Sequence, residues 1–487
     1  MAEKNIKTYM QYIHILIVVL LMFGFGKIPA PMPMTQLGMQ ILGIFFGAIY
    51  GWTACSYIWP SILGMIALGF TEYTTVLGAF QAMFSNNVIL CCIAVFILNP
   101  FIISSGLGDA FVKWFTTRKF LVGHPWTFAG AMIVFTYIGA AFFDTYAMIF
   151  MLWTILEALF GKMGFKKGEA FPTYVFFGTV ISAFFGGMAL PFRPAGIFMI
   201  GLFTNGTGIE SLSYFQYFVM WNVITLSALA LHFTFVRFFI KIDASKYVEA
   251  SKTFAQDRVS ANILIDTRNK KLGLFVLLTF ITILLLPSFL PTTWKLTAII
   301  NNLGIVGTAF ILLIIIMILK DENGKPVADF KSLATQGISW DILWLLGAVF
   351  IIATAVTSAE TGVMAWLMAM LIPILSKMPF FVLIIALSVG LCLISQFANN
   401  MVLQFAFTPI AAQIVMGLGY HPACAILAVF FGASFAYLTP GGSNPSALAF
   451  GNEWVGKPLL YKFSIPYILI GLSCTIIGAL VIPTLIF

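Results

Sequence analysis

Gly186-Gly-Met-Ala-Leu-Pro191-Phe-Arg193-Pro194 and Leu438-Thr-Pro440-Gly-Gly-Ser-Asn-Pro445 interrupt two long apolar stretches of this chain. Proline removes a backbone N–H and clashes with the preceding turn, so neither stretch can continue as α-helix. Broken backbone at membrane depth survives only where protein or a cavity covers it. A proline pair with flanking glycines, at matching places in two halves of a chain, reads as a binding site made of interrupted helices. The dull alternative is a structural kink in each.

The surroundings of the two breaks fix the fold class. The chain has 487 residues, of which 61% are hydrophobic and 9% charged, and its mean hydropathy is +1.02. In soluble domains charged residues make up about a quarter. A membrane span takes roughly 20 mostly apolar residues, and such stretches recur at 11–28, 37–50, 53–70, 86–106, 171–204, 214–240, 271–290, 297–319, 339–357, 422–452 and 464–486. The reading is an all-α polytopic membrane protein with about eleven transmembrane helices. Strand-like alternation, which an outer-membrane barrel would need, is absent. The first apolar run, Tyr12 to Gly26, lacks a small-residue cleavage site and is followed by further spans, so it reads as a helix and not a signal peptide.

Two more apolar stretches, 124–160 and 379–418, are each too long for one straight helix and polar near the middle. Each reads as a re-entrant hairpin. Charge supports opposite entry sides. Lys113, Arg118 and Lys119 precede the first hairpin and Lys162, Lys166 and Lys167 follow it, placing both ends in the cytoplasm. Only Lys377 precedes the second, and Met416-Gly-Leu-Gly-Tyr420 after it is uncharged. The linker Arg237 to Lys271 holds eight Lys/Arg against four Asp/Glu and is cytoplasmic by the same rule. Counting back puts the N-terminus inside and the C-terminus outside a plasma membrane. The expected organisation is scaffold helices in 1–75, a first inverted repeat in 76–240, a cytoplasmic linker in 241–270 carrying a short interfacial helix over 241–262, connecting helices in 271–335, and a second repeat in 336–487.

A shift of 255 residues aligns 142–165 with 397–420 without a gap, with identities at Phe142/Phe397, Phe150/Phe405, Ile155/Ile410 and Gly164/Gly419. Layout and opposite loop charge, more than those identities, carry the inverted repeat. The shift sets Asp144-Thr145 opposite Asn399-Asn400. Polar side chains are costly at membrane depth unless paired or facing water. A hairpin tip supplies the reason for them: unwound carbonyls and a half-helix N-terminus can hold a cation and an anion side by side.

On these residues the chain resembles the divalent-anion:sodium symporter family of the ion-transporter superfamily, as a divergent member. In that family a Ser-Asn-Thr motif marks each hairpin tip, and two Pro-rich helix breaks complete the site. Phe143-Asp144-Thr145 and Ala398-Asn399-Asn400 stand at the similar positions, where only Thr145 and Asn399 keep the expected residue. Pro191–Pro194 and Pro440–Pro445 look like the family's breaks, with Ser443-Asn444-Pro445 closest in chemistry. The resemblance implies a homodimer with a scaffold and an elevator-like transport region, moving carboxylates coupled to sodium. It implies substrate contacts at Asp144, Thr145, Pro194, Asn399, Asn400, Ser443, Asn444 and Pro445, to which the chemistry of Arg193, a departure from the family, adds a further candidate. A coupling ion would use Asp144, Asn399 and the backbone at Gly187 and Gly441.

The departures define the alternatives. Asp144 is a structural acid or helix N-cap, a fixed carboxylate strengthening a cation site, or a titrating group carrying a proton. Arg193 offers a planar fork for a carboxylate, or else pairs with Asp144 or snorkels to an interface. An acid and an arginine together suit a zwitterion or monocarboxylate more than a dianion. Glu157 falls near the cytoplasmic end of the first hairpin, Asp341 begins a span and Glu360 lies near an interface, so solvated or interfacial roles are expected for all three. Asn205-Gly-Thr207 is a glycosylation sequon in an expected outside loop.

Other classes fit less well. Net charge is +8, but the basic residues lie between spans, and nucleic-acid recognition modules are missing. Cys55, Cys91, Cys92, Cys392, Cys424 and Cys474 sit in apolar surroundings without ligand spacing, and His14, His124, His232 and His421 are scattered, so neither a metal centre nor a bound cofactor is expected. Gly161 to Gly168 lacks the phosphate-loop spacing. An intramembrane enzyme would want a second titrating group near Asp144. The expectation is a secondary transporter of a small carboxylate-like anion, coupled to Na+ or H+ or exchanging. The alternative is a cation/proton antiporter or inorganic-anion permease.

Overall fold

The computed structural model describes residues 2–108, 110–111, 122–143, 145–207, 212–254, 267–288, 290–291, 293–320, 326–375 and 377–486. Among them the chain is helical throughout, with one isolated bridge between Lys320 and Pro326. The N-terminal helices are α1 (Ala2–Gly24), α2 (Gln36–Ala54), α3 (Ile58–Gly69), α4 (Val76–Phe84) and α5 (Asn87–Ser104). A first set follows: α6 (Pro125–Phe142), α7 (Thr145–Lys162), α8 (Ala170–Gly186), α9 (Pro194–Thr207) and α10 (Tyr214–Phe235). Between the sets lie α11 (Ser245–Phe254), α12 (Arg268–Leu285), α13 (Lys295–Ile318), α14 (Phe330–Gly337), α15 (Trp340–Thr357) and α16 (Val363–Leu375). The second set is α17 (Phe380–Ser395), α18 (Asn400–Gly417), α19 (Ala423–Ser434), α20 (Asn444–Gly451) and α21 (Lys457–Ile486).

Ten of the described helices are long and apolar enough to cross a membrane, or eleven if α16 and α17 form one bent span. Their starts follow local chemistry. Side-chain oxygens of Thr35, Thr75 and Asn86 accept from backbone N–H groups in the first turns of α2, α4 and α5, satisfying donors that a helix start leaves orphaned. Ser213 and Gln216 form a reciprocal capping box on α10.

Several sequence expectations are refined. The stretches 171–204 and 422–452 are each two helices, because the backbone leaves helical geometry at the prolines. Within the range expected to hold a short interfacial helix, a helix occupies Ser245–Phe254, and residues 255–262 fall outside the described ones. Helices α4, α14 and α16 lie outside the expected spans; at 9, 8 and 13 residues they are shorter than a span. Asn205-Gly-Thr207 closes α9 instead of lying in a loop. Stretch 124–160 is split at Phe143 into two helices of 18 residues each. At 1.5 Å per residue each is about 27 Å long, close to the hydrocarbon thickness.

The two sets share an element order and a packing pattern. Helices α6 and α7 pack on each other and on α8, and α17 and α18 pack on each other and on α19. Both crossings with the third helix are made close by a glycine. A Cβ at Gly186 would stand 2.2 Å from the Tyr137 carbonyl oxygen, and one at Gly432 would stand 2.6 Å from that of Ser388. Helix α21 lies against α10, α19 and α8, while α9 reaches across to α18 and α15. Beside this assembly α1, α2, α3 and α15 form one group, and α5 packs on α13 and α14.

At one end the loop after α7, helix α11 and the α20–α21 loop are joined. Gly168 N donates to the Trp454 carbonyl (3.2 Å) and Lys167 pairs with Glu453. Lys246 on α11 donates to Glu169 (2.9 Å) and lies over the Phe165 ring.

Candidate functional site

The break between α19 and α20 leaves carbonyl and N–H groups of residues 435–443 outside any helix, and side chains satisfy them. Ser443 caps α20: its Oγ accepts from Ser446 N (3.2 Å) and donates to the Ala436 carbonyl (2.8 Å). Ser446 Oγ donates to the Thr439 carbonyl (2.7 Å). Gln396, at the end of α17 and 2% exposed, does most to hold the break. Its Nε2 donates to the Phe435 carbonyl (3.0 Å) and its Oε1 accepts from Leu438 N (2.9 Å), while Thr439 Oγ1 donates to its backbone carbonyl. The α17–α18 tip is thereby fastened to the second helix break. Gly442, not Gly441, makes the close approach here: a Cβ at 442 would stand 2.9 Å from the Ser395 carbonyl oxygen, whereas Gly441 has room.

Asn399 caps α18, its Oδ1 accepting from Met401 N (3.0 Å) and Val402 N (3.4 Å). Its side chain also meets Tyr57, at the start of α3. Asn400 is 3% exposed, and its Nδ2 has no hydrogen-bond partner among the described residues. A buried donor of this kind calls for an acceptor.

Among the described residues, α10 supplies most of the hydrogen bonds to the first break. Trp221 Nε1 donates to the Phe185 carbonyl (2.9 Å), Tyr217 Oη to that of Met188, and Asn222 Nδ2 to that of Ala189 (3.0 Å). Arg193 donates through Nε to the Gly187 carbonyl (3.1 Å). At 8% exposure it does not snorkel; its guanidinium is part of the break. Thr145, the first residue of α7, sits on Gly187 so closely that a Cβ there would be 2.1 Å from Thr145 Oγ1. Pro194 opens α9 and Pro445 lies in the first turn of α20, positions where a missing N–H costs nothing. Asp144 lies outside the described residues.

The two sets of site residues meet. Asn444 Nδ2, in the second break, donates to the hydroxyl of Tyr146 at the first hairpin tip (3.3 Å). Phe198 on α9, just beyond the first break, packs edge-on against Phe405 on α18 at 5.3 Å. Thr145 with Gly187, Tyr146 with Asn444, and Gln396 with Leu438 thus connect both tips and both breaks. This arrangement offers amide and hydroxyl donors, one guanidinium, and helix N-termini at α7, α18, α9 and α20, all favourable to an anion. A cavity of about 610 Å³ is lined by Asn87, Cys91, Asn301 and Gly304, among others, and by Ile197 and Ile200 of α9, one to two turns beyond Arg193.

Gln396, Tyr146, Gly442 and the α10 donors were not singled out from sequence. Gln396 lies three residues before the Asn399-Asn400 pair, so widening that polar cluster would have included it. The α10 donors carry no sequence signal of their own.

Glu157 is not simply solvated, since Asn452 Nδ2 donates to its carboxylate (3.4 Å). Asp341 lies in the first turn of α15, and Glu360 lies in the short turn before α16.

The profile of the sodium:sulfate symporter transmembrane region matches residues 7–486. Mouse Na(+)/dicarboxylate cotransporter 3 is 28% identical over 130 residues, which is 27% of this chain and 21% of that protein. The sodium-dependent dicarboxylate transporter SdcS of Staphylococcus saprophyticus is 23% identical over 241 residues, 48% of this chain and 45% of its own. The match therefore spans less than half the length of these curated relatives. The crystal structure of the Alcanivorax borkumensis YdaH transporter aligns with a TM-score of 0.51 at 14% identity, over 82% of this chain and 86% of that one, a likeness of fold alone. Because the profile runs through nearly the whole chain, as the resemblance read from the hairpin tips implied, the chain belongs to the sodium:sulfate symporter family.

Proposed function

We propose that this protein is a secondary active transporter of a small organic anion, a carboxylate, coupled to sodium. The observation that carries the reading is the meeting of two hairpin tips with two helix breaks, tied by Tyr146 to Asn444 and by Gln396 to Leu438. Relatives named as sodium-dependent dicarboxylate transporters support the substrate class. In this reading Asn400, Thr145, Ser443 and Asn444 face the substrate, Arg193 adds positive charge to its site, and Asp144, Asn399 and nearby unwound carbonyls hold the coupling ion. Hard cations such as Na+ take oxygen ligands of this kind.

The two sets are an inverted repeat, with α6–α7 and α17–α18 as hairpins entering from opposite faces of a plasma membrane. The N-terminus is cytoplasmic and the C-terminus outside, following the basic loops. The assembly of α6–α10 with α17–α21 moves as the transport body of an elevator against α1–α5 and α12–α15, in a homodimer. The pairing of Lys167 after α7 with Glu453 after α20 supports treating one end of that body as a unit.

Thermal stability of the detergent-solubilised protein, measured against mono-, di- and tricarboxylates and sulfate with sodium or choline, tests this. A ligand that binds the native state raises its apparent stability. Sodium-dependent shifts with one carboxylate class are expected. Shifts with sulfate alone would move the substrate to an inorganic anion, and shifts with pH alone would favour the antiporter reading.

A further inference from the structure

Helix α13 carries a third break, one made without proline. Gly304 inside it has φ 52° and ψ −156°, a backbone region open almost only to glycine. A Cβ at 304 would stand in open space, so the backbone conformation, and not packing, calls for glycine here. A helix interrupted in this way cannot keep regular i→i−4 bonding through the break. Such a break endures at membrane depth only beside protein or a cavity, and Gly304 lines the cavity of about 610 Å³. That volume is within the range of small-molecule sites.

The wall of this cavity is amphipathic. Asn87 on α5 and Asn301 on α13 bring amides and Tyr214 on α10 a hydroxyl, while Ile197 on α9, Leu284 on α12 and Ile305 on α13 bring aliphatic surface. No Lys, Arg, His, Asp or Glu is among the described residues that line it. A bound ion would lack a counter-charge there. An uncharged molecule with a hydroxyl or amide head and an aliphatic body matches both parts of the wall. None of the residues placed in the substrate and ion site lines the cavity.

The cavity also joins α9 and α10 to α5, α12 and α13. In the elevator reading proposed above, on which this step rests, the first two belong to the moving body and the other three to the frame. Their contact at the wall is tight: a Cβ at Gly201 on α9 would stand 2.3 Å from Val88 Cγ2 on α5. Helix α9 therefore cannot slide along α5 without reshaping the cavity.

We propose that this cavity is a second binding site, separate from the substrate site, for an uncharged amphiphile of the monoacylglycerol kind, and that its occupant bridges the two bodies and slows transport. The head meets the amides of Asn87 and Asn301, and the chain lies along the aliphatic wall.

Photolabelling of the full-length protein in nanodiscs tests the site, with a monoacylglycerol carrying a diazirine in its acyl chain and peptide mapping of the adducts. Label is expected at cavity residues of α9, α12 and α13, abolished by excess 1-monoolein and not by oleate, which has the same chain and a charged head. Cys91→Phe fills part of the cavity and should lose the label. Asn301→Leu, at an exposed position, removes a partner of the head and should weaken competition by monoolein. Label confined to outward-facing side chains such as Phe239 and Leu485, or label displaced equally by oleate, overturns the site. Carboxylate uptake by reconstituted vesicles tests the bridging role. Monoolein should lower the maximal rate without raising KM in the parent, and should have no effect in Cys91→Phe. Saturable cavity label with an unchanged rate overturns the bridging role. Cavity label in a protein that takes up no carboxylate supports the site and counts against the transporter reading instead.

Discussion

Gln396 is fixed to Leu438, 42 residues away, by a hydrogen bond from the Leu438 N–H to its Oε1 at 2.9 Å. The same side chain donates to the Phe435 carbonyl, so one amide satisfies both kinds of backbone group freed by the break. Gln396→Leu should leave Leu438 N and the Phe435 carbonyl unmet in a dry setting, costing about 1–3 kcal/mol for each group. We expect a lower melting temperature and reduced transport. Gln396→Glu, if protonated in this dry setting, keeps an acceptor for Leu438 and a donor to Phe435 and should fall between; ionised, it would set an unpaired charge against the Phe435 carbonyl and be less stable than the leucine variant. Equal stability of the leucine variant and the parent would mean that the break is held by something else.

Gly432 is where α17 and α19 touch. Gly432→Ala puts a methyl group 2.6 Å from the Ser388 carbonyl oxygen, and a backbone atom cannot rotate away. The helices must separate, at an overpacking cost of about 1–3 kcal/mol. Gly187→Ala differs, because its methyl would meet the Thr145 side chain. That side chain can turn, so the expected loss is in substrate or ion affinity more than in stability. Denaturation curves and ligand-dependent thermal shifts separate the two outcomes.

Arg193 is enclosed and donates to the Gly187 carbonyl. Arg193→Ala should therefore lower stability, and in the proposed site it should weaken carboxylate binding too. Arg193→Lys keeps the charge but not the planar fork, and should restore stability only partly. If the arginine tunes the site toward zwitterions or monocarboxylates, relative affinities should shift among substrate charges when it is removed. Dianion binding equal in the parent and the alanine variant would count against that role.

The joined loops at one end give a pH dependence. Partial burial pushes the Glu169 carboxyl up, but the Lys246 ammonium and the Lys166 N–H outweigh it and hold it below its ordinary value of 4.5. A carboxyl depressed in the folded state stabilises fully above its unfolded value, and that contribution disappears as pH falls through the folded one. Glu169→Gln should thus be less stable than the parent at neutral pH, and the gap should close in acid. Melting temperatures from pH 7 down to pH 3 check this. A gap that stays constant would assign Glu169 a role independent of its charge.

Some of this organisation can be read from particular residues. Single prolines such as Pro100 and Pro409 are carried inside α5 and α18, but the Gly186-Gly187 pair followed by Pro191 and Pro194 breaks the chain, so α8 ends at Gly186 and α9 starts at Pro194. Asn399 caps α18 because a short amide is a good acceptor for first-turn N–H groups. The residues that complete the breaks are less legible. Gln396 and Leu438, or Asn222 and Ala189, meet only after helices distant in sequence have packed. Gly441 and Gly442 are alike in sequence, and only the approach of the Ser395 carbonyl tells them apart. Helices α4, α14 and α16 are too short to register as spans.

Asn400 permits the sharpest separation of structure from function. Its Nδ2 is buried without a partner among the described residues, so in the ligand-free protein it carries an unmet desolvation cost of about 1–3 kcal/mol. Leucine has nearly the same shape and no donor. Asn400→Leu should therefore leave the ligand-free protein as stable as the parent or more so. If the amide serves a bound carboxylate, the same variant should lose the ligand-induced thermal shift and transport together. Most buried-polar substitutions reduce stability and function at once, whereas here the two move in opposite directions. A variant that is destabilised without ligand yet keeps the full ligand shift would make Asn400 a packing residue and remove it from the substrate site.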